Sequence, residues 1–362
     1  MEHSVFYRKY RPQTFEEVRG QEHITESLKR DLEEHRISHA YLFSGPRGTG
    51  KTSVARILAR AVNCEKDPGP CNKCEVCSDF SSGRTLDLIE IDAASNRGID
   101  DIRAIKEQVL LMPSKGRRKV YIVDEAHMMT KDAFNAFLKT LEEPPEHAMF
   151  IMATTEPEKM PETIISRTQH FKFRPLSEKL IAETLKEVSK KEGIILKDEA
   201  AILLAFLSEG SLRDAMNYLT QVRSLGGKEV GEDEIRKAFG VPSVHLAQRL
   251  MDSIFKKDLP RAIENISEIE KAGASADLFL KMLIRNYRFL FLSKISSSFT
   301  VKMKEMVGER DYDYFLEKLD GVNAEDIQNS LVTLLQTANE RYAGPHQTLP
   351  LELAVSKIIS GK

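Results

Sequence analysis

The stretch GPRGTGKT, residues 45–52, constrains this chain more than any other. It fits G-x-x-x-x-G-K-[ST] and lies between AYLFSG (40–45), an apolar run that reads as a buried strand, and TSVARILARAV (52–62), which has helical period. A strand that feeds a glycine loop and then a helix is a phosphate cradle. Backbone amides must approach phosphate oxygens closely, so Gly45, Gly48 and Gly50 keep side chains out of the way, while Pro46, Arg47 and Thr49 complete the turn. The helix N-terminus adds partial positive charge. Lys51 places an ammonium near the β- and γ-phosphates, and Thr52 offers a hydroxyl to Mg²⁺.

The rest of the first half agrees with such a loop. LDLIEIDA (86–93), KVYIVDEA (119–126), AMFIMATT (148–155) and QHFKF (169–173) read as strands. IDDIRAIKEQVLLM (99–112) and KDAFNAFLKTLEE (131–143) read as helices, the latter stopped by Pro144 and Pro145. Strands alternating with helices predict an α/β fold, a parallel sheet with helices on both faces. From about Leu176 strand signals stop. Residues 177–242 read as a small helical lid with breaks at Gly193, Gly210 and Gly226-Gly227, and GVPS (240–243) reads as a linker. Residues 243–362 read as an all-α domain, with Leu246, Leu250 and Ile254 on one face as core or as a subunit contact. The expected domains are therefore 1–176, 177–242 and 243–362.

VYIVDEAH (120–127) carries Asp124 and Glu125 to a strand's C-terminal end, where ligands bind in open α/β sheets. Downstream of a phosphate loop, Asp124 is placed to hold the Mg²⁺ shell and Glu125 to polarise an attacking water. Thr155 ends another strand, within reach of the γ-phosphate or that water. Arg167 is either a surface residue or an arginine offered to a neighbouring subunit's phosphate. Arg213, in GSLRDAMN (210–217), either pairs with Asp214 or reports on the γ-phosphate.

All four cysteines fall within CEKDPGPCNKCEVC, residues 64–77. Cys64, Cys71, Cys74 and Cys77 contain two C-x-x-C spacings sharing Cys74, and four thiolates close a tetrahedral shell. Zn²⁺ suits them, with an iron–sulfur cluster as the rival occupant. A closed shell makes the metal structural, for an insertion too small to bury a core. The N-terminus, MEHSVFYRKYRPQTF, has no apolar signal core and no segment is apolar enough to span a bilayer, which predicts a cytoplasmic protein. Lys plus Arg (53) nearly balance Asp plus Glu (55), so any nucleic-acid contact must use local patches such as Arg8, Lys9 and Arg11, or Arg117, Arg118 and Lys119.

Taken together, the phosphate loop, VYIVDEAH, Thr155, Arg167 and Arg213 resemble an AAA+ ATPase module. YRKYRPQTFEEVRGQ, the cysteine insertion, FNAFLKTLEEPPEHAMFIMATTEPEKMP and SLRDAMN narrow the resemblance to the gamma/tau subunits of bacterial DNA polymerase III, densely over residues 5 to about 220. That resemblance implies an ATPase of the sliding-clamp loader, with ATP, Mg²⁺ and Zn²⁺ as ligands. Tyr7, Arg11, Pro12 and Val18 would line the adenine side. Thr155 would be the sensor after the fourth strand, Arg167 the finger acting in trans, and Arg213 the second sensor. The family usually has Cys after the finger, where this chain has Thr168, and its loop from Cys64 to Cys71 is slightly shorter. The implied partners are delta- and delta-prime-type subunits and further copies in a pentameric ring, the sliding clamp and primer-template DNA. Arg97 and Arg103 would be phosphate contacts, and the last domain the oligomerising collar. Polymerase and helicase would be reached through C-terminal domains that this sequence does not include. Two rival classes are a non-hydrolysing scaffold, against which Lys51, Thr52, Asp124 and Glu125 argue, and a DEAH helicase, which needs a second motor domain.

Overall fold

The computed structural model describes the chain except residues 1–4, 96, 97, 99–106, 225–228, 308, 341, 343 and 362. Most of the predicted helix over 99–112, and with it Arg97 and Arg103, lies outside the described residues.

Five strands form one wholly parallel sheet: β1 (Ala40–Ser44), β2 (Leu88–Asp92), β3 (Lys119–Asp124), β4 (Ala148–Thr154) and β5 (Gln169–Lys172). Their order is β2-β3-β4-β1-β5. Register pairs Ser44 with Thr154 and Val123 with Met152. The C-terminal ends of β3, β4 and β1 therefore lie side by side on one edge, with β4 in the middle.

Successive residues of a strand point to opposite faces, and this alternation builds two cores. Tyr41, Phe43, Val120, Ile122, Met149 and Ile151 pack on one face with the helices Glu22–Glu33, Lys51–Val62 and Glu75–Ser82. Leu42, Tyr121, Val123, Phe150 and Met152 pack on the other with Phe134, Phe137 and Leu141 of the helix Lys131–Glu142. These strands read as continuous apolar runs because both faces are covered. Thr130 starts the helix Lys131–Glu142 by accepting the Ala133 N–H on its hydroxyl at 3.2 Å.

The chain divides into two compact units, Met1–Glu192 with Leu204–Gln221, and Gly193–Leu203 with Val222–Lys362. The segment expected as a separate lid, 177–242, is shared between them. The first unit contains the sheet together with the helices Glu178–Lys191 and Leu212–Ser224, the latter to Gln221. The second is helical, with Leu246, Leu250 and Ile254 all buried on one face of the helix Val244–Phe255. It also corrects the expectation that strands end near Leu176: Ile195–Leu196 and Glu229–Val230 form a short parallel pair. Two residues are too few to leave an alternating pattern. Among the described residues no helix is long and apolar enough to cross a membrane.

Candidate nucleotide site and cysteine cluster

The loop after β1 curls tightly against two other segments of its own unit. A Cβ at Gly45 would stand 2.4 Å from the Phe173 carbonyl oxygen, and one at Gly48 would stand 2.0 Å from Ser211 Oγ. Both glycines also have positive φ, so space and backbone conformation require the same residue. The contact at Gly48 brings the start of the helix Leu212–Ser224, and so Arg213, onto the phosphate loop.

Lys51 is 6% exposed, and its ammonium donates to the carbonyls of Gly45 (2.7 Å) and Pro46 (2.8 Å) inside the curl. Burial lowers its pKa, while the carboxylates of Glu125 and Asp124 act in the opposite direction. Thr52 Oγ1 donates to Asp124 Oδ2 at 2.9 Å, so the loop's hydroxyl and the carboxylate ending β3 converge on one point. A hydroxyl and a carboxylate so placed suit Mg²⁺, which favours hard oxygen ligands.

Glu125 follows in a left-handed conformation, φ 49°. It receives the Thr155 hydroxyl on Oε2 at 3.0 Å. The strand order explains this contact, since β4 lies between β3 and β1 and its end abuts both neighbours. His127, whose side chain is 5% exposed, backs the same turn. Its Nδ1 is 3.0 Å from Thr154 Oγ1 and 3.6 Å from Glu125 Oε2, and its Nε2 is 3.1 Å from Glu156 Oε1.

A cavity of about 580 Å³ opens over the loop. Tyr7, Arg11, Pro12, Val18, Arg47, Gly48, Thr49, Gly50, Lys51, Thr52, Asp124, Glu125 and Arg213 all line it. The Arg213 guanidinium lies over the Tyr7 ring, 4.9 Å from its centroid. The wall also includes Gln13, Thr184, Val188 and Met216, which the sequence did not single out. Gln21 was likewise missed. Its fully buried amide accepts the Arg174 N–H at 3.1 Å and donates to the carbonyls of Arg174 (2.8 Å) and Thr49 (3.4 Å), tying the loop to the segment after β5. Gly45, Pro46 and Thr155 belong to the loop and its neighbours without lining the cavity. Arg167 lies away from it: one guanidinium nitrogen meets Glu142 Oε1 at 2.7 Å, and another donates to the Thr163 carbonyl at 2.9 Å.

The four cysteines come together at the end of the phosphate-loop helix. Their sulfurs all lie within 4.8 Å of one another, close to the spacing of about 3.8 Å that a tetrahedral shell with bonds of about 2.3 Å requires. N–H groups of Cys71, Cys74 and Cys77 point at the sulfurs of Cys64, Cys71 and Cys74, at 3.3, 3.4 and 3.4 Å. The amides of Lys73 and Cys74 bring the Cys71 thiol down to about 6. Burial pushes Cys64 and Cys77 the other way. The cluster is compatible with one tetrahedral ion.

A family model described as DNA polymerase III, delta subunit, matches residues 20–177. Over 360 residues the chain is 39% identical to the DNA polymerase III subunit tau of Bacillus subtilis, covering 99% of this chain and 63% of that one. It is 36% identical over 363 residues to a DNA polymerase III subunit gamma of Buchnera aphidicola, covering 99% of each. With the tau subunit of Escherichia coli it shares 42% over 282 residues, 77% of this chain and 44% of that one. The chain thus spans less than two thirds of the tau relatives and nearly the whole of the gamma relative. Among solved structures, the Thermotoga maritima RuvB Holliday junction branch migration motor aligns with a TM-score of 0.50 at 20% identity, covering 68% of this chain and 79% of that one. That likeness shows the fold alone, a parallel sheet with helices on both faces.

Proposed function

The chain belongs to the DNA polymerase III gamma/tau family, and on that premise we propose that it is an ATP-hydrolysing subunit of the sliding-clamp loader. The observation that carries this reading is the single cavity gathering Lys51, Thr52, Asp124, Glu125 and Arg213 around one phosphate loop. Tyr7, Arg11, Pro12 and Val18 form the wall where the base binds. The amides of residues 45–52 wrap the phosphates, and Lys51 turns its ammonium from the loop carbonyls to the β- and γ-phosphates. Thr52 and Asp124 would hold Mg²⁺, which when bound would neutralise charge on the phosphate oxygens. Glu125 orients a water and takes its proton as the water attacks the γ-phosphorus. Thr155 holds Glu125 through its hydroxyl, so the base's position depends on the end of β4. Arg213 contacts the γ-phosphate from the helix that closes over Gly48. Arg167 faces away from its own cavity, which suits a role at a neighbouring subunit's nucleotide.

In this reading the four cysteines hold Zn²⁺ as a structural ion, and the chain assembles with delta- and delta-prime-type subunits and copies of itself. Val332, Leu335 and Leu353, exposed apolar side chains on the helices Ala324–Asn339 and Leu349–Ser360, support an oligomerising role for 243–362. The three-part division at residues 176 and 242 belongs to the same proposal. ATP binding opens the clamp around primer-template DNA, and hydrolysis releases it closed.

Glu125→Gln keeps the side chain's size and removes its basicity. The assembled loader carrying it should bind ATP and the clamp normally but hydrolyse at least about a hundredfold more slowly. Phosphate release and clamp retention on primed DNA measure this. Undiminished hydrolysis would remove Glu125 from the mechanism.

A further inference from the structure

Arg60 has no place in the phosphate chemistry and is not a thiol, yet it joins the two sites. It lies in the last turn of the phosphate-loop helix and is 4% exposed. Its guanidinium donates to Gln13 Oε1 (2.9 Å), to the Gln13 carbonyl (2.7 Å) and to Ser81 Oγ. Ser81 belongs to the helix Glu75–Ser82, which starts at Cys74 and contains Cys77, and its hydroxyl donates to the Cys77 carbonyl at 2.9 Å. Asn72, between Cys71 and Cys74, donates its amide to the same Gln13 carbonyl at 3.3 Å. That oxygen therefore accepts one donor from the nucleotide-binding helix and one from the cysteine knuckle. Gln13 and its neighbours Arg11 and Pro12 form part of the cavity wall. Burial disfavours the charge on Arg60, so the hydrogen bonds to Gln13 and Ser81 are what hold its guanidinium in place.

We infer that the four-cysteine knuckle buttresses the base side of the nucleotide cavity through Arg60, a positioning residue, so that metal occupancy sets nucleotide affinity. The inference rests on the nucleotide-binding reading above. With the four thiolates gathered on one ion, Asn72 and Ser81 are fixed and Arg60 is held between them. The strap Arg11–Gln13 is then held against the cavity. Without that shell the knuckle loses its closure, the Gln13 carbonyl loses donors, and the strap binds a base less well.

The test titrates a fluorescent ATP analogue into the full chain, zinc-loaded and after removal of zinc with a mercurial and a chelator. Zinc content and melting temperature are measured in parallel. The chain's only cysteines are the four in the knuckle, so the mercurial acts nowhere else. Zinc removal and Arg60→Met should each weaken binding about tenfold, as expected from losing hydrogen bonds to a charged group. Zinc removal from Arg60→Met should weaken it little further, because both changes cut one connection. Asn72 has φ 56°, so Asn72→Gly keeps the backbone and removes only the amide. It should weaken binding about threefold with zinc content and melting unchanged, which covers the case in which Arg60→Met folds poorly. Zinc-loaded Arg60→Met or Asn72→Gly binding like the wild type would overturn the inference. So would fully additive losses from Arg60→Met and zinc removal. A zinc-loaded wild type that does not bind the analogue would sink the nucleotide reading instead.

Discussion

His127 shows what a single side chain adds beyond a motif. Its contacts with Thr154 and Glu156 tie the turn that carries Glu125 to the end of the strand that carries Thr155. Glu125 and Thr155 are thereby held together at the ends of neighbouring strands. His127→Ala should lower the turnover of the assembled loader about tenfold with little change in KM for ATP, because under the proposed mechanism it loosens a group needed only as water attacks. His127→Asn, which can keep the contact to Thr154, should recover part of the loss. Steady-state kinetics of the two variants check this, and a rise in KM at unchanged turnover would remove His127 from that role. The loop 45–52 was legible because its residues are consecutive in the sequence. Asp124 and Glu125 were readable because a strand must end where they stand. His127, Arg60 and Gln21 were not, because their partners lie 27, 47 and 153 residues away, and no local pattern marks such a contact.

At the scale of elements, composition hid one helix and length hid one strand pair. Prolines, glycines and cysteines around residues 64–77 argue for irregular chain, yet Glu75–Ser82 is helical and starts on the Cys74 sulfur, which accepts the Cys77 N–H. The sheet itself was legible through its apolar runs, whereas its strand order comes from tertiary packing. Asp87, just before β2, illustrates how a loop is fixed to that sheet. Its carboxylate is 1% exposed and receives the N–H groups of Ser114 (2.6 Å), Lys115 (2.9 Å) and Gly116 (2.7 Å). Burial alone would raise its pKa, but the three amides outweigh burial and hold it below the usual value. A carboxyl whose folded pKa lies below its unfolded value of about 3.9 contributes stability above that pH and loses it as the pH falls through the folded value. Asp87→Asn turns a donor toward these amides and should cost about 1–3 kcal/mol at pH 7. The gap in melting temperature between the two proteins should narrow below about pH 4. A gap independent of pH would show that ionisation at this position does not matter.

For the whole molecule, two compact units exchange the chain at residues 192–193, 203–204 and 221–222. The sequence placed the change from strand to helix signals near Leu176, although the short pair Ile195–Leu196 and Glu229–Val230 lies beyond it. It did not show this interleaving, because contact partners rather than composition decide which unit a helix joins. Arg167 belongs to this scale. It is held by Glu142 and the Thr163 carbonyl and serves no group in its own cavity. Arg167→Ala should leave nucleotide binding to the single chain intact and reduce hydrolysis by the assembled loader about a thousandfold. Binding isotherms on the isolated protein, set against phosphate release by the complex, test this. Equal loss in the two preparations would place Arg167 at its own nucleotide instead.

The strand order also has a consequence during synthesis. Lys51 leaves the ribosome long before Thr155, and β4 must slot between β3 and β1 before Glu125 meets its threonine. A nascent chain that already displays residues 45–52 therefore still lacks the Thr155 contact of Glu125, and under the proposed mechanism hydrolysis waits until the central strand is in place.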